Sequence, residues 1–495
     1  MLSKEKARDQ ALLVYNEFYT PDRRRLDRIK RAIEPPLDGD GIPKARVELP
    51  EDSPELLQTL AAEAETNYLP LLIETYSQVM IVDDYITKGV PETNPSDGTP
   101  VPRSSRDPWE TWQRNRMDSR QLSLHRAACT YGTAYATVVP GRADDGQDFA
   151  VVRTHSPLTM TAIYEDEEMD DWPVWGLSVT DQHWVLYSDT EYHIFGVEEK
   201  SPLIGGPKPI GTLGPTQQGR WLSYIEGHEH TLGVTPIIRY RDRHYLPDET
   251  VRGMVEPLLA IQRRIDRTSV NQMVAQQIAI FRQKYSIGWV PEDEEEEVKA
   301  SIAKMHYIDR DPSEVQLGEW EATDIEPYIA AGNQARRDFS ATGQIPAQSM
   351  GIDGISNISD ATLAGLEAAK NRRSGIATTS LGESHEQLMR TFATIDGNTI
   401  AANDFSSEVV WRDFESRSFA QTIDGLLKLT TMGLPAEIAM EDVPGFSGQK
   451  LERIRKSMRR ERARATIAAA AAPTTTSPGG QAAQQNGDSA EQENV

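Results

Sequence analysis

Residues 248–278 read DETVRGMVEPLLAIQRRIDRTSVNQMVAQQI, and the fold turns on this stretch. Val251, Met254, Val255, Leu258, Ile261, Ile265, Val270, Met273, Val274 and Ile278 nearly keep an i, i+3, i+4 stripe, which predicts one amphipathic helix roughly 45 Å long. Pro257 should kink it near its start, because the ring removes a backbone donor and crowds the preceding turn. Residues 279–323 break the pattern with short β-like runs at Gln283–Val290, His306–Asp309 and Val315–Leu317 around the acidic run Glu292–Glu297, so a small αβ unit is inserted. Helical spacing returns over Asp324–Thr342 through Ile325, Tyr328, Ile329 and Phe339. Two helices flanking one small unit should lie side by side and antiparallel.

Downstream, Ile345–Ile358 (IPAQSMGIDGISNI) is punctuated by Pro, Gly and Ser and reads as a loop. Ser359-Asp360 then caps a helix to about Ile395, with breaks expected near Gly375 and Gly382. A β-like run, Glu408–Trp411, precedes helices around Phe419–Thr431 and Pro435–Met440. The helix Lys450–Ala465 is basic: Lys450, Arg453, Arg455, Lys456, Arg459, Arg460, Arg462 and Arg464 stand against Glu452 and Glu461. Residues 468–495 are expected as a disordered tail, since the polar composition beyond Ala472 cannot bury enough apolar area to fold.

Upstream, Lys4–Ile33 reads as two amphipathic helices interrupted at Thr20-Pro21-Asp22, its Arg23, Arg24, Arg25, Arg28, Lys30 and Arg31 forming a solvated or ion-paired face. Tyr68–Thr87 reads as a buried helix and Pro91–Pro108 as a loop. Asp107-Pro108-Trp109 opens a long helix through Tyr131 that Gly132 ends. From Ala134 to Ile238 the runs Tyr135–Val139, Val151–Thr154, Trp184–Ser188, Tyr192–Phe195 and Thr235–Tyr240 alternate as strands. The fold class is a helix-rich α+β chain, not a run of βαβ units.

At 495 residues the chain holds about three domain-equivalents at roughly 150 residues each. Its 52 Lys and Arg against 76 Asp and Glu give a net charge of −24, which repels bulk DNA and anionic membrane at long range. The single cysteine, Cys129, excludes an intrachain disulfide and a cysteine-cluster metal site, and suits a reducing compartment. Met1–Arg8 is charged where a signal peptide is apolar, and no stretch approaches the roughly 18 apolar residues of a membrane span, so neither secretion nor membrane insertion is expected.

Catalytic patterns are missing. No G-x-x-x-x-G-K-[ST] cradle is present, Gly205–Gly219 lacks G-x-G-x-x-G, and no G-x-S-x-G elbow occurs. Cys129 lies inside a predicted helix, away from a reactive helix start. His385-Glu386 lacks the second histidine of H-E-x-x-H. His228 and His230, with Glu226, could ligate a metal if a strand set both rings on one face. The acidic clusters Glu165–Asp171 and Glu292–Glu297 read as solvated faces. The chain is therefore expected not to be an enzyme and to need no cofactor or metal, the competing reading being a metal-dependent nuclease or hydrolase built on those carboxylates and the His228/His230 pair.

The order of elements resembles the portal protein of tailed double-stranded DNA bacteriophages of the siphovirus type. Val255–Gln262 is similar to the Pro-containing start of that family's first stem helix, with Asp266 and Asn271 in the polar positions. Gln121–Pro140, a helix running through Tyr131-Gly132 into a strand, is also similar. The resemblance implies a homo-oligomeric, dodecameric ring at one capsid vertex of the virion, assembled in the host cytoplasm, through which double-stranded DNA is packaged and later ejected. It implies a wing (1–247 and 359–419), a stem (248–278 and 324–344), a clip (279–323), a tunnel loop (345–358) and a crown (420–467).

In that map Gln348, Ser349, Met350, Asp353 and Ser356 face the channel, while Arg459, Arg460, Arg462 and Arg464 face packaged DNA. Glu292, Asp293, Glu294, Glu295, Glu296 and Glu297 lie in the clip that docks the terminase large subunit and then the head-completion adaptor. Arg263, Arg264, Arg267, Arg336 and Arg337 lie at stem interfaces. Major capsid and scaffolding proteins would be the remaining partners, with no membrane; another capsid-associated structural protein is the third reading.

Overall fold

A computed structural model of the chain describes residues 2–37, 39, 44–50, 53–87, 107–141, 149–198, 221–280, 284–287, 305–308, 316–319, 324–351, 360–413, 419–433, 435–440, 443 and 448–471. The chain divides into two compact units, Met1–Ser418 and Phe419–Val495.

The first unit opens with α1 (Lys4–Val14), which runs through a wide π-turn at Tyr15–Tyr19 straight into α2 (Thr20–Ile33). The interruption expected at Pro21 does not occur. The widened turn relieves the clash a proline ring makes with the turn before it, and Thr20 Oγ1 donates to the Tyr15 carbonyl at 2.9 Å. Helices α3 (Glu55–Ala64) and α4 (Leu69–Ser77) follow, then strand β1 (Val82–Ile86). The single helix expected over Tyr68–Thr87 is thus a helix and a strand, which a short apolar run cannot distinguish by periodicity.

Asp107 accepts from the Trp109 N–H at 3.0 Å and Pro108 fills the first turn of α5 (Pro108–Arg114). The expected long helix stops there and restarts as α6 (Met117–Tyr131), with Arg116 between them at a left-handed φ of 54°. Asn115 is the cause: its side chain donates to Ala150 O at 2.7 Å and accepts from Val152 N at 3.0 Å, so tertiary bonds replace the next helical ones. Gly132 ends α6 at φ 88°, where a side chain would be strained.

Strands β2 (Thr133–Pro140), β3 (Ala150–His155) and β9 (Ile237–Arg241) form an antiparallel sheet ordered β3-β2-β9. Strands β4 (Met160–Ile163), β5 (Trp175–Val179), β6 (His183–Tyr187), β7 (Glu191–Val197) and β8 (Leu222–Glu229) form an antiparallel meander in chain order. One face of the meander packs Trp184, Phe195 and Trp221 against Tyr15 and Tyr19.

A 3-10 turn at Glu256–Leu258 leads into α7 (Leu259–Ile280). The helix therefore begins at Pro257 instead of kinking there, and residues 248–255 lie outside it; a proline tolerates a first turn because its missing donor is unpaired there anyway. Strands β10 (Lys284–Ile287), β11 (Met305–Ile308) and β12 (Gln316–Glu319) make a small sheet ordered β11-β10-β12, one pair parallel and one antiparallel. Helix α8 (Glu326–Gly343) returns along α7. A Cβ at Gly343 would lie 3.2 Å from Leu258, one at Gly332 would lie 3.9 Å from Thr268, and Arg264 pairs with Asp338, so the numbers rise on one helix as they fall on the other. The pair is antiparallel, as expected.

Helix α9 (Asp360–Ile395) is continuous over 36 residues, without the breaks expected at Gly375 and Gly382. It is followed by α10 (Thr399–Ala402) and β13 (Glu408–Trp411), which pairs with β1 in a two-stranded antiparallel ribbon. The main core gathers Tyr76, Trp112, Tyr240, Phe339 and Phe392 from α4, α5, β9, α8 and α9. The second unit carries α11 (Phe419–Thr431), α12 (Ala436–Ala439) and α13 (Gly448–Ala471). The last helix extends past residue 468, where the tail was expected to begin; the expectation for 472–495 lies outside the described residues.

Candidate functional site: the paired helices and the turn after them

The two paired helices are anchored by buried charge. Asp266, 1% exposed, receives Arg46 through two guanidinium bonds of 3.0 and 2.8 Å, and Gln262 Nε2 at 2.8 Å. Gln262 also donates to Thr66 O at 2.9 Å and accepts from Tyr68 N at 3.0 Å, so α7 is tied to the segment before α4. Glu65, 3.6 Å from Arg46, completes the set and accepts from Val47 N at 2.7 Å. Removing one member of such a buried pair costs about 3–5 kcal/mol, because the other charge is left without its partner. At the start of α7, Glu256 takes Arg25 at 2.9 Å and Arg28 at 3.0 Å from α2. The arginine run of α2 thus faces inward in part, with Arg23 paired to Asp27 and Arg25 also to Asp22.

The five arginines singled out on the paired helices divide. Arg264 pairs with Asp338 across the two helices, and Arg336 donates to Asn333 on its own helix. Arg263, Arg267 and Arg337 are exposed and have no acidic partner among the described residues. Arg263 and Arg267, one helical turn apart, present two like charges on one face.

After α8 the chain reverses sharply. Gln344 takes a φ of 54°, Ser340 Oγ donates to Ile345 O at 2.7 Å, and Tyr76 Oη donates to Gly343 O at 2.9 Å. A 3-10 turn then covers Ala347–Met350, so this part of the expected loop is ordered. Ser349 is exposed and Gln348 half-buried, but Met350 is 2% exposed and belongs to the main core. Met350 is corrected on that ground: a core methionine has no surface to offer a channel. Asp353 and Ser356 lie outside the described residues, as do Glu292, Asp293, Glu294, Glu295, Glu296 and Glu297. Arg459, Arg460, Arg462 and Arg464 are exposed on α13.

His228 Nε2 sits 3.2 Å from Glu226, while His230 is buried beyond the strand end with Nε2 3.1 Å from Ser188 O. Among the described residues no three His, Cys, Asp or Glu side chains gather as a metal site. In the acidic turn Asp166 accepts from Glu168 N, and Glu167 pairs with Arg241 at 3.0 Å. Burial pushes the Cys129 thiol up, and it is inert inside α6.

Sequence reasoning missed the polar centre of the core. His125 Nδ1 meets Met80 O at 2.9 Å, His125 Nε2 meets His385 Nε2 at 2.7 Å, and His385 Nδ1 meets Tyr240 Oη at 3.1 Å. Only one proton assignment satisfies all four groups. His125 Nδ1–H donates to the carbonyl, His385 Nε2–H donates to His125, and Tyr240 donates to His385. Both imidazoles are neutral, and burial holds His125 down at about 4 and His385 well below its usual range. Elsewhere in the core Asp242, wholly buried just past β9, meets Arg373 at 2.5 Å and accepts from Tyr245 Oη at 2.8 Å; burial still raises it to about 6. No local motif announces either cluster, because their members lie far apart in sequence.

An α+β body with an antiparallel pair of long helices, joined in sequence by a small three-stranded sheet, is the plan of a phage portal subunit. The family described as "Phage portal protein, SPP1 Gp6-like" matches residues 60–463, and the chain belongs to that family. Among solved structures it is similar to a chain of "Virion of native gene transfer agent (GTA) particle", with a TM-score of 0.40 and 12% identity over 78% of this chain and 92% of the other. It is also similar to a chain of "Neck of native GTA particle computed with C12 symmetry", with a TM-score of 0.37 and 12% identity over 70% and 84%. No curated protein matches the sequence.

Proposed function

We propose that copies of this chain close into a dodecameric ring at one vertex of a phage capsid, and that double-stranded DNA passes through its bore during packaging and ejection. The observation that carries the reading is the portal family match over residues 60–463, which takes in both paired helices and everything between them. Cyclic closure needs two different surfaces to meet, and the unpaired Arg263, Arg267 and Arg337 supply cations for one of them. A net charge of −24 per copy keeps phosphates from adhering to the wall, so DNA slides.

In this reading residues 1–247 and 359–419 are the wing, 248–278 and 324–344 the stem, 279–323 the clip and 420–467 the crown. The clip's Glu292–Glu297 docks terminase and then the adaptor, and Arg459, Arg460, Arg462 and Arg464 meet packaged DNA. The tunnel loop, 345–358, touches passing DNA through Gln348, Ser349, Asp353 and Ser356; its one charge is Asp353. Substituting Asp353→Lys in the phage tests this, since a new cation in the bore should slow packaging and make it more salt-dependent. Unchanged packaging with an unchanged salt response contradicts the loop's assignment.

A further inference from the structure

Between the middle of α9 and β13 lies an open groove of about 370 Å³, lined by Thr378, Gly382, Glu383, Glu386, Phe405 and Glu408 with neighbouring residues. One wall is a strand edge. Among the described residues the ribbon has two strands, and the Arg412 N–H turns toward β1, donating to Ile81 O at 2.8 Å. Alternation along the strand then turns the backbone groups of Val409 and Trp411 outward into the groove. Val409 N is held there by the Glu386 carboxylate at 3.4 Å, and no strand pairs with this edge among the described residues.

The ribbon's other edge is closed. Gln121 of α6 accepts from Val82 N at 2.8 Å and donates to Val82 O at 3.2 Å, so a helix covers that edge and satisfies both backbone groups of Val82. The open edge has a rim of exposed Glu383 and Glu408 with half-buried Glu386 between them. Burial and then Glu383 raise the Glu386 carboxyl, so a cation placed there gains. At the mouth Phe405 is 80% exposed, with the Arg390 guanidinium 4.9 Å above its ring.

We propose that this groove binds an extended, lysine- or arginine-bearing segment of another polypeptide, which adds to β13 as a third strand and sets its cations against Glu383, Glu386 and Glu408. A second copy is the poorer occupant. Of the described strands, β9 carries two arginines and already commits both, Arg239 and Arg241, to Glu167. Main-chain pairing gives affinity in such additions and side-chain charge gives selectivity. The proposal does not depend on the channel reading.

The test titrates the full chain with the labelled peptide acetyl-Lys-Val-Lys-Val-Lys-Val-amide by fluorescence anisotropy, beside a Glu-for-Lys version and a version with alternate backbone nitrogens methylated. The basic peptide should bind and the acidic one should not. Methylation, or the double substitution Glu383→Lys and Glu408→Lys, should weaken binding at least tenfold with circular dichroism unchanged. Equal binding of the methylated peptide shows charge attraction alone and overturns the proposal, as does binding untouched by the double substitution. If that substitution instead dissociates an oligomer in sedimentation, the occupant is a second copy, which also overturns it.

Discussion

His125 and His385 meet nitrogen to nitrogen at 2.7 Å, an arrangement that accepts no further proton. Every acceptor in the Tyr240–His385–His125–Met80 chain is already used, so a proton arriving at either ring breaks a buried bond and leaves a charge unsolvated. Trp112 and Trp411 edge the pair, and among the described residues no carboxylate acts on it. The sign follows from the folded value of about 4 against an unfolded value near 6.5: between them the unfolded chain binds more protons, so stability is lost as pH falls. Asp242, raised to about 6, works the other way, since its protonation below pH 6 relieves a buried charge. Between pH 7 and pH 5 the contribution lost through His125 alone is about 2 kcal/mol. Denaturant midpoints should therefore fall less over that interval in His125→Asn than in the unaltered chain; equal falls contradict the account. His385 stood out in the sequence only as half of a zinc motif it does not complete, because the partners that define its role are 145 and 260 residues away.

At the scale of elements, Gly382 shows why a helix-breaking residue can sit inside an unbroken helix. A Cβ there would meet Val409 Cγ2 and Trp411 Nε1 at 3.4 Å, so glycine permits the close approach of α9 to β13 and is not a stop. Gly382→Ala should be neutral or stabilising by up to about 1 kcal/mol, through helix propensity. Gly382→Leu should cost about 1–3 kcal/mol by forcing the ribbon away. Thermal melts of the two variants decide this, and a well-tolerated leucine refutes the packing argument.

The exposed arginines of α7 are testable at the same scale. Arg263→Ala with Arg267→Ala should lower assembly while leaving subunit melting within about 0.5 kcal/mol of the parent, because exposed and unpaired charges add little to a single chain. Light scattering beside melting separates these outcomes. The paired helices and most strands were legible because their apolar periods are long and clean. The break at Asn115 was not, because its cause is a pair of bonds to β3, and the shortened start of α7 was not, because residues 248–255 keep a helical spacing without a helix.

For the whole molecule, the chain belongs to the portal family over residues 60–463 and carries −24 per copy, and the proposed function adds one physical idea, a hollow assembly that does not hold the nucleic acid it passes. The contact of Arg46 with buried Asp266 and the partly buried Glu256–Arg25 pair tie α7 and the turn before it to the N-terminal segments, so that in the proposed ring the subunits meet as rigid bodies. The order of elements was the legible part of this, while the burial of single side chains in the segment after α8 was not, as Met350 shows by sitting in the core. The most direct test is the mass of the purified full chain by light scattering, taken with negative-stain images of the same sample. The account predicts a closed ring of about a dozen subunits with a central aperture. A monodisperse single 55.3 kDa species at micromolar concentration, with no aperture in the images, contradicts it.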